Sequence, residues 1–250
     1  MKRILIGLMA LIASLSAQEI YATFNIEADK SANLAFYSSG IIDKVYVDVS
    51  SNVKKGDKLV ELQNDDLKAS LRIAKTKLSE AGVNFKFARK DYNRQLLIKD
   101  LIDEAKFDQY DLVYERARVA VASAKANLAY QQALFDRTIV LAPFNGVIFE
   151  KSVEVGDVVS GMMLRTILKI QSQSKRKLVF EFDQKYWKTV KVGNVVKYTV
   201  NGDDKTYSGK ISKLYPIANS DNRKIKAEVI ASVFVVGLFG EGYIIVPDKK

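Results

Sequence analysis

The chain has 250 residues, of which 48% are apolar and 27% charged, and it contains neither cysteine nor histidine. That composition supports a packed core and excludes disulfides, thiolate nucleophiles, zinc sites built on Cys or His, and Ser-His-Asp triads. Lys and Arg total 39 against 29 Asp and Glu, a net charge of +10, which raises the prior for anionic partners without naming one.

Residues 1–17 read as a signal peptide. Met1-Lys2-Arg3 is cationic, residues 4–15 are almost wholly apolar, and Ser14, Ser16 and Ala17 are small. The apolar run is shorter than the ~20 residues a spanning helix needs. Cleavage is expected near Ala17 or Gln18, giving a periplasmic product; an uncleaved anchor is the alternative. No cysteine follows the run, so a lipid-modified N-terminal cysteine is excluded.

Two stretches read alike. Ser39-Gly40-Ile41-Ile42-Asp43-Lys44-Val45 leads to Val53-Lys54-Lys55-Gly56-Asp57, and Asn145-Gly146-Val147-Ile148 leads to Val155-Gly156-Asp157-Val158-Val159. Both are β-branched runs broken by glycine turns, with Gly40 and Gly146 read as equivalent and Gly56 and Gly156 as tight turns of positive φ. An imperfect repeat of two half-sheets results, interrupted by a long insertion.

Within the insertion, apolar residues recur at Leu67, Leu71, Ala74, Leu78, Ala81, Phe85, Ala88 and Tyr92. A second ladder runs Phe107, Tyr110, Tyr114, Ala117, Val121, Ala124, Leu128, Gln131 and Phe135. The gaps alternate between three and four, which predicts two helices sharing one coiled-coil seam. The connection between them is short, so they turn back antiparallel over residues 65–137. Asp103 is the expected N-cap of the returning helix, and Asp65 or Asp66 that of the outgoing one. Each arm of roughly 34 residues is about 50 Å long. After residue 174 the pattern becomes short strands and turns, including Asn201-Gly202 read as a type I′ pair, which predicts a small barrel over 174–247.

This order of parts resembles the HlyD-like membrane fusion proteins, the periplasmic adaptors of tripartite efflux pumps. The resemblance is carried by the two half-sheet motifs, by Leu141-Ala142-Pro143-Phe144-Asn145-Gly146, and by Val192-Gly193 with Tyr207-Ser208-Gly209-Lys210-Ile211. It implies a mainly β chain with an α-helical coiled-coil hairpin. The hairpin splits a lipoyl-like β-sandwich, with residues 18–64 as an N-terminal strand and the first lipoyl half and residues 138–173 as the second half, and the barrel follows. The membrane-proximal domain of many relatives is expected to be missing or vestigial. At the tip, relatives that dock on an outer-membrane duct often carry an Arg, a Leu four residues later and a Ser seven beyond. With Asp103 at the Ser place, Leu96 matches the Leu and Tyr92 replaces the Arg, while Arg94 lies two residues away. Tyr92, Arg94, Leu96, Leu97, Leu101 and Asp103 are therefore the candidate partner-binding residues.

The resemblance also implies no enzyme activity and no cofactor or metal. The partners it implies are an inner-membrane transporter, an outer-membrane channel and further copies in a ring. A peripheral contact with the membrane surface is admitted, and nucleic acid is not expected. A cleaved signal favours an RND-type transporter by family analogy. The alternatives are an adaptor of an ABC-type exporter or type I secretion system, and a structural envelope coiled coil without a transport role. A carrier of biotin or lipoate is disfavoured because the hairpin occupies the place of the attachment turn. Asp65-Asp66 and Asp203-Asp204 read as caps or turns, and Met162-Met163 as packing or a turn.

Overall fold

The computed structural model describes residues 17–163, 165–232 and 234–247. The cationic and apolar start read as a signal peptide therefore lies outside the described residues, apart from Ala17. In chain order the elements are β1 (Ala17–Ala28), β2 (Ser31–Leu34), β3 (Gly40–Val45), β4 (Asn52–Val53) and β5 (Lys58–Leu62). The helices α1 (Asp65–Leu96) and α2 (Glu104–Asp136) follow, then β6 (Ile139–Leu141), β7 (Gly146–Lys151), β8 (Val158–Val159) and β9 (Leu168–Gln171). The last strands are β10 (Arg176–Asp183), β11 (Val195–Val200), β12 (Thr206–Ala218), β13 (Lys224–Ala231) and β14 (Phe239–Pro247). The chain divides into two compact units: residues 32–170, and the described residues on either side of them.

In the first unit, two four-stranded sheets run β2-β9-β7-β4 and β6-β5-β3-β8. Each sheet takes strands from both sides of the helical insertion. Gly40 lies opposite Val159, Asn52 opposite Val147 and Lys58 opposite Leu141. Neither half can complete a sheet alone, because in each sheet one half supplies the two central strands and the other half both edges. The core is shared in the same way, with Ile42, Leu59 and Leu62 packed among Ile148, Ile167, Leu168 and Ile170. The split sandwich expected from the repeat is thus present.

The two Gly-Asp turns are built identically. The Asp57 carboxylate accepts from Lys54 N–H at 2.8 Å, and Asp157 from Glu154 N–H at 3.0 Å. Gly56 N–H donates to Ala142 O while Ala142 N–H donates to Asp57 O, both at 2.9 Å. In the other half, Gly156 N–H donates to Ile42 O at 3.0 Å and Ile42 N–H to Asp157 O at 2.9 Å. The strand pairing relates the halves residue by residue: Gly40 lies opposite Val159 and Ile41 opposite Val158, just as Gly146 lies opposite Val53 and Val147 opposite Asn52. Gly40 and Gly146 are therefore equivalent, as the repeat predicts, but neither is a turn residue: they open β3 and β7, the corresponding strands of the two sheets. The sequence motif misled because a glycine before a β-branched run marks a strand start as readily as a turn.

Gly56 and Gly156 do adopt positive φ, +91° and +94°. No atom lies within 4 Å of the position a Cβ would take at either one. Gly56→Ala and Gly156→Ala should each therefore lower stability by about 1 kcal/mol through backbone conformation alone. Urea unfolding of the purified variants measures this, and an unchanged midpoint would contradict it.

The second unit is a closed six-stranded barrel in the order β1-β10-β13-β12-β11-β14. The N-terminal strand, grouped above with the first half-sheet, belongs here. β1 has alternate buried residues Ile20, Ala22, Phe24 and Ile26, and it pairs with β10 on one side and β14 on the other. Without it those two strands would present open edges. Inward alternation recurs in β10, β11 and β13: Leu178, Phe180 and Phe182, then Val196, Tyr198 and Val200, then Ile225, Ala227 and Val229. The Asn201-Gly202 connection is not type I′, since that turn needs positive φ at both residues and only Gly202, at +87°, has it. Buried Glu228 accepts from Tyr215 Oη at 2.5 Å, and this bond with burial holds the Tyr215 pKa up at about 12.

Candidate partner-binding tip and its root

The two helices of the insertion meet along the seam read from the sequence. Every residue of both ladders is buried or half-buried, and Ala74, Ala88 and Phe107 are the most enclosed. Away from the far end the seam alternates alanines with larger residues, from Ala74 and Leu78 on α1 to Ala124 and Leu128 on α2. Near the far end the seam turns aromatic, with Tyr92 5.7 Å from the Phe107 ring and 4.8 Å from Tyr114, and with Tyr114 5.6 Å from Phe85. At 1.5 Å per residue, 32 and 33 residues give two arms of about 50 Å.

The tip is a single 3₁₀ turn, Lys99–Leu101. Asp103 starts α2 as expected: its side chain accepts from Lys106 N–H at 3.3 Å. Lys99 Nζ stands 4.9 Å over the Phe107 ring and closes the seam. Two leucines remain outside, Leu97 at 86% exposure and Leu101 at 84%. Leu96 and Ile98 are about half exposed, and Ile102 is half-buried. The five apolar tip residues therefore do not all serve to close the end. Of the six candidate residues, Leu96, Leu97 and Leu101 form an apolar tip beside Asp103. Arg94 is exposed and pairs with Asp91. Tyr92 is a seam residue, held between Phe107 and Tyr114, and its ring face is not offered to a partner.

The root of the hairpin holds residues that the sequence reading passed over. Glu61, 4% exposed, accepts from Tyr46 Oη at 2.8 Å and from Asn64 Nδ2 at 3.1 Å. Asn64 also donates to Thr138 Oγ1 at 2.9 Å, and Thr138 Oγ1 donates to Phe135 O at 2.7 Å. One network thus ties β5, the start of α1 and the end of α2. Asn64 is the N-cap residue of α1, but its side chain makes no cap bond because it is engaged in this network. Asp65 and Asp66, expected as caps, fall inside the first turn, where they favour the positive end of the helix dipole. No spacing motif links Glu61, Asn64 and Thr138, which is why the sequence alone did not bring them together.

Burial pushes the Glu61 carboxyl up, but the hydrogen bonds from Tyr46 and Asn64 and the nearby Lys58 ammonium outweigh it. The net pKa lies below the ordinary 4.5. A lowered folded-state pKa contributes stability that is complete above the unfolded value and is lost as pH falls through the folded one. Stability should therefore drop below about pH 4.5, and Glu61→Gln should reduce that drop. Thermal melts from pH 6 to pH 3 test this, and equal acid slopes in parent and variant would contradict it.

The other carboxylate and methionine pairs have ordinary places. Asp203 accepts from Tyr207 Oη at 2.6 Å and from Lys205 N–H at 3.0 Å within a turn. Met162 and Met163 lie exposed in a bend rather than packed. Among the described residues no cluster of three or more acidic side chains is placed to hold a metal ion. No helix among them is long and apolar enough to cross a membrane.

A sandwich whose two halves interleave, a seamed helical hairpin rising between them, and a six-stranded barrel define the architecture of the HlyD-like membrane fusion proteins, and this chain resembles them in both fold and sequence. It is 24% identical over 229 residues to the macrolide export protein MacA of Yersinia pestis, covering 83% of this chain and 61% of that one. It is 26% identical over 167 residues to the multidrug resistance protein MdtA of Salmonella typhimurium, covering 64% of this chain and 40% of that one. The chain thus spans about half the length of the curated relatives it matches. Among solved structures, a MacA–MexA chimera carrying the Pseudomonas aeruginosa MexA α-hairpin superposes with a TM-score of 0.70 at 25% identity. The match covers 93% of this chain and 83% of that one. No family model matches the chain.

Proposed function

We propose that the chain is a non-enzymatic periplasmic adaptor that links an inner-membrane efflux transporter, of the RND type, to an outer-membrane channel. The observation that carries this reading is the hairpin end: a rod of about 50 Å finished by Leu97 and Leu101, which project into solvent although water disfavours them. An apolar tip on a stiff arm suits docking against a partner end-on. Export of drugs or other toxic compounds is taken from the relatives named for macrolide export and multidrug resistance. The RND preference rests on reading residues 4–15 as part of a cleaved segment. The protein's place is then the periplasm, in peripheral association with the inner membrane.

Several copies would stand side by side around a conduit. Support comes from the outer face of α2, where Ala105, Leu112, Val119, Ala126 and Ala133 recur every seven residues and all are exposed. A second heptad facing away from the intramolecular seam is a surface on which a neighbouring hairpin packs. The experiment is accumulation of a fluorescent pump substrate in a deletion strain complemented with the chain. Restored efflux supports the adaptor. Unchanged susceptibility and accumulation on deletion would favour a structural envelope protein instead.

A further inference from the structure

The exposed turn between β10 and β11 has no role in the reading above. Asp183 accepts from Lys185 N–H at 2.8 Å, Trp187 N–H donates to Gln184 O at 3.0 Å, and Val190 N–H donates to Tyr186 O at 3.0 Å. These bonds wind the segment into a helical turn. Val190, 1% exposed, is part of the barrel core and Tyr186 packs against it. With positions 186 and 190 facing inward, their neighbours face out. Trp187, the only tryptophan in the chain, is 61% exposed, and Val192 is 60% exposed. Lys185, Lys188 and Lys191 are all exposed, and none forms an ion pair with a described residue. Lys188 Nζ lies 5.1 Å from the Trp187 ring centroid and Lys185 Nζ lies 5.0 Å from that of Tyr186.

The strand registers fix which mouth of the barrel this turn occupies. Thr23 pairs with Glu181, so the earlier residues of β1 run on past the end of β10. Val195 pairs with Ile245, and Ala17 with Pro247. The turn therefore sits at the mouth where β1 enters the barrel and β14 leaves it. Residue 17 enters directly after the apolar stretch 4–15, so any segment of the chain held in a bilayer during export joins the barrel at this same mouth. The β12–β13 turn is there too, since Gln184 N–H donates to Arg223 O at 3.0 Å, and it adds exposed Ile217 and the Arg223 cation. Among the described residues the carboxylates at this mouth are Asp183, which accepts from Lys185 N–H, Asp221, Glu19, and Glu181, which accepts from Asn222 Nδ2 at 3.5 Å and pairs with Lys226.

We propose that this mouth is a membrane-interface anchor, with the Trp187 indole in the headgroup region of an anionic bilayer and Lys185, Lys188 and Lys191 on lipid phosphates. Tryptophan favours that region because its ring is apolar and its N–H polar, and lysines beside it reach phosphate with their apolar stems along the surface. The inference rests on the envelope placement proposed above and specifies the surface that meets the membrane. Its test needs no transporter or channel, so it fails separately from the efflux reading.

The purified chain is mixed at low salt with vesicles of phosphatidylglycerol and phosphatidylethanolamine, or with phosphatidylcholine alone. As the only tryptophan, Trp187 reports directly. Its emission should shift to the blue with the anionic vesicles, little with the neutral ones, and less as salt rises. Co-sedimentation should weaken at least tenfold in Trp187→Ser and in the triple variant Lys185→Glu, Lys188→Glu, Lys191→Glu, with unchanged melts. Absence of the shift on anionic vesicles, or variants that co-sediment like the parent, would overturn the proposal. Protection of Trp187 by a co-purified protein partner without any vesicle binding would overturn it in favour of a protein-docking role for this mouth.

Discussion

Replacing Leu97 and Leu101 together by Asp should reduce efflux to the level of the deletion strain while leaving the hairpin as stable as the parent. Both side chains are more than four-fifths exposed, so neither contributes to the seam, and surface changes of this kind usually alter stability by no more than about 0.5 kcal/mol. A docked tip, by contrast, would bury two carboxylates against an apolar surface, each at a cost of several kcal/mol, on the order needed to empty the complex. Arg94→Glu should weaken efflux less, because Arg94 is exposed and already engaged with Asp91, and rim charges act mainly on association rate. Substrate accumulation in complemented cells, beside a helical melt of each purified variant, separates the outcomes. Full efflux from the double variant would remove the docking role of the tip. Loss of efflux with a collapsed melt would show instead that the leucines hold the hairpin end.

Gly242→Val should unfold the barrel. A Cβ at position 242 would stand 2.4 Å from Lys197 O and 2.7 Å from Tyr198 Cβ, and one at position 240 would stand 2.1 Å from Thr199 O and 2.7 Å from the Phe24 ring. These glycines face inward where Phe24, Phe180 and Tyr198 meet with ring centroids 4.6 to 5.8 Å apart. A small barrel accommodates three such rings only if the facing positions carry no side chain. The clash is with backbone, which cannot swing aside, so the loss should reach about 3 kcal/mol or more. Trp187 fluorescence follows the barrel and helical circular dichroism follows the hairpin. The fluorescence midpoint in urea should fall sharply in the variant, and an unchanged midpoint would contradict the packing.

The hairpin was the most legible part of the fold. Seventeen ladder positions read from spacing alone are the buried or half-buried face of α1 and α2, because a narrow seam leaves its period directly in the sequence. The split sandwich was legible through Gly56-Asp57 and Gly156-Asp157, since positive φ in a tight turn restricts the residue type. Gly40 and Gly146 were rightly matched as equivalents, but they carry no such constraint and begin strands rather than turns. β1 was placed with the wrong unit because its partners, β10 and β14, are more than a hundred residues away and leave no local mark. At the tip, the leucines were visible as an apolar cluster, but which of them pack and which project depends on the 3₁₀ turn that orders them. Tyr92 shows the same limit: its heptad position and its place in the docking pattern gave competing readings, and the aromatic stack with Phe107 and Tyr114 decides for the seam. The Glu61–Asn64–Thr138 network was hidden because Thr138 reaches Asn64 only after the whole hairpin has turned back on itself.

The most direct test of the adaptor reading is to place a photo-crosslinking amino acid at position 97, irradiate living cells and identify the captured proteins by mass spectrometry. An outer-membrane channel captured from position 97, but not from a control position on the barrel such as Tyr243, is the result the account predicts. Capture of no outer-membrane protein from position 97, in cells where the same variant still supports efflux, would contradict it.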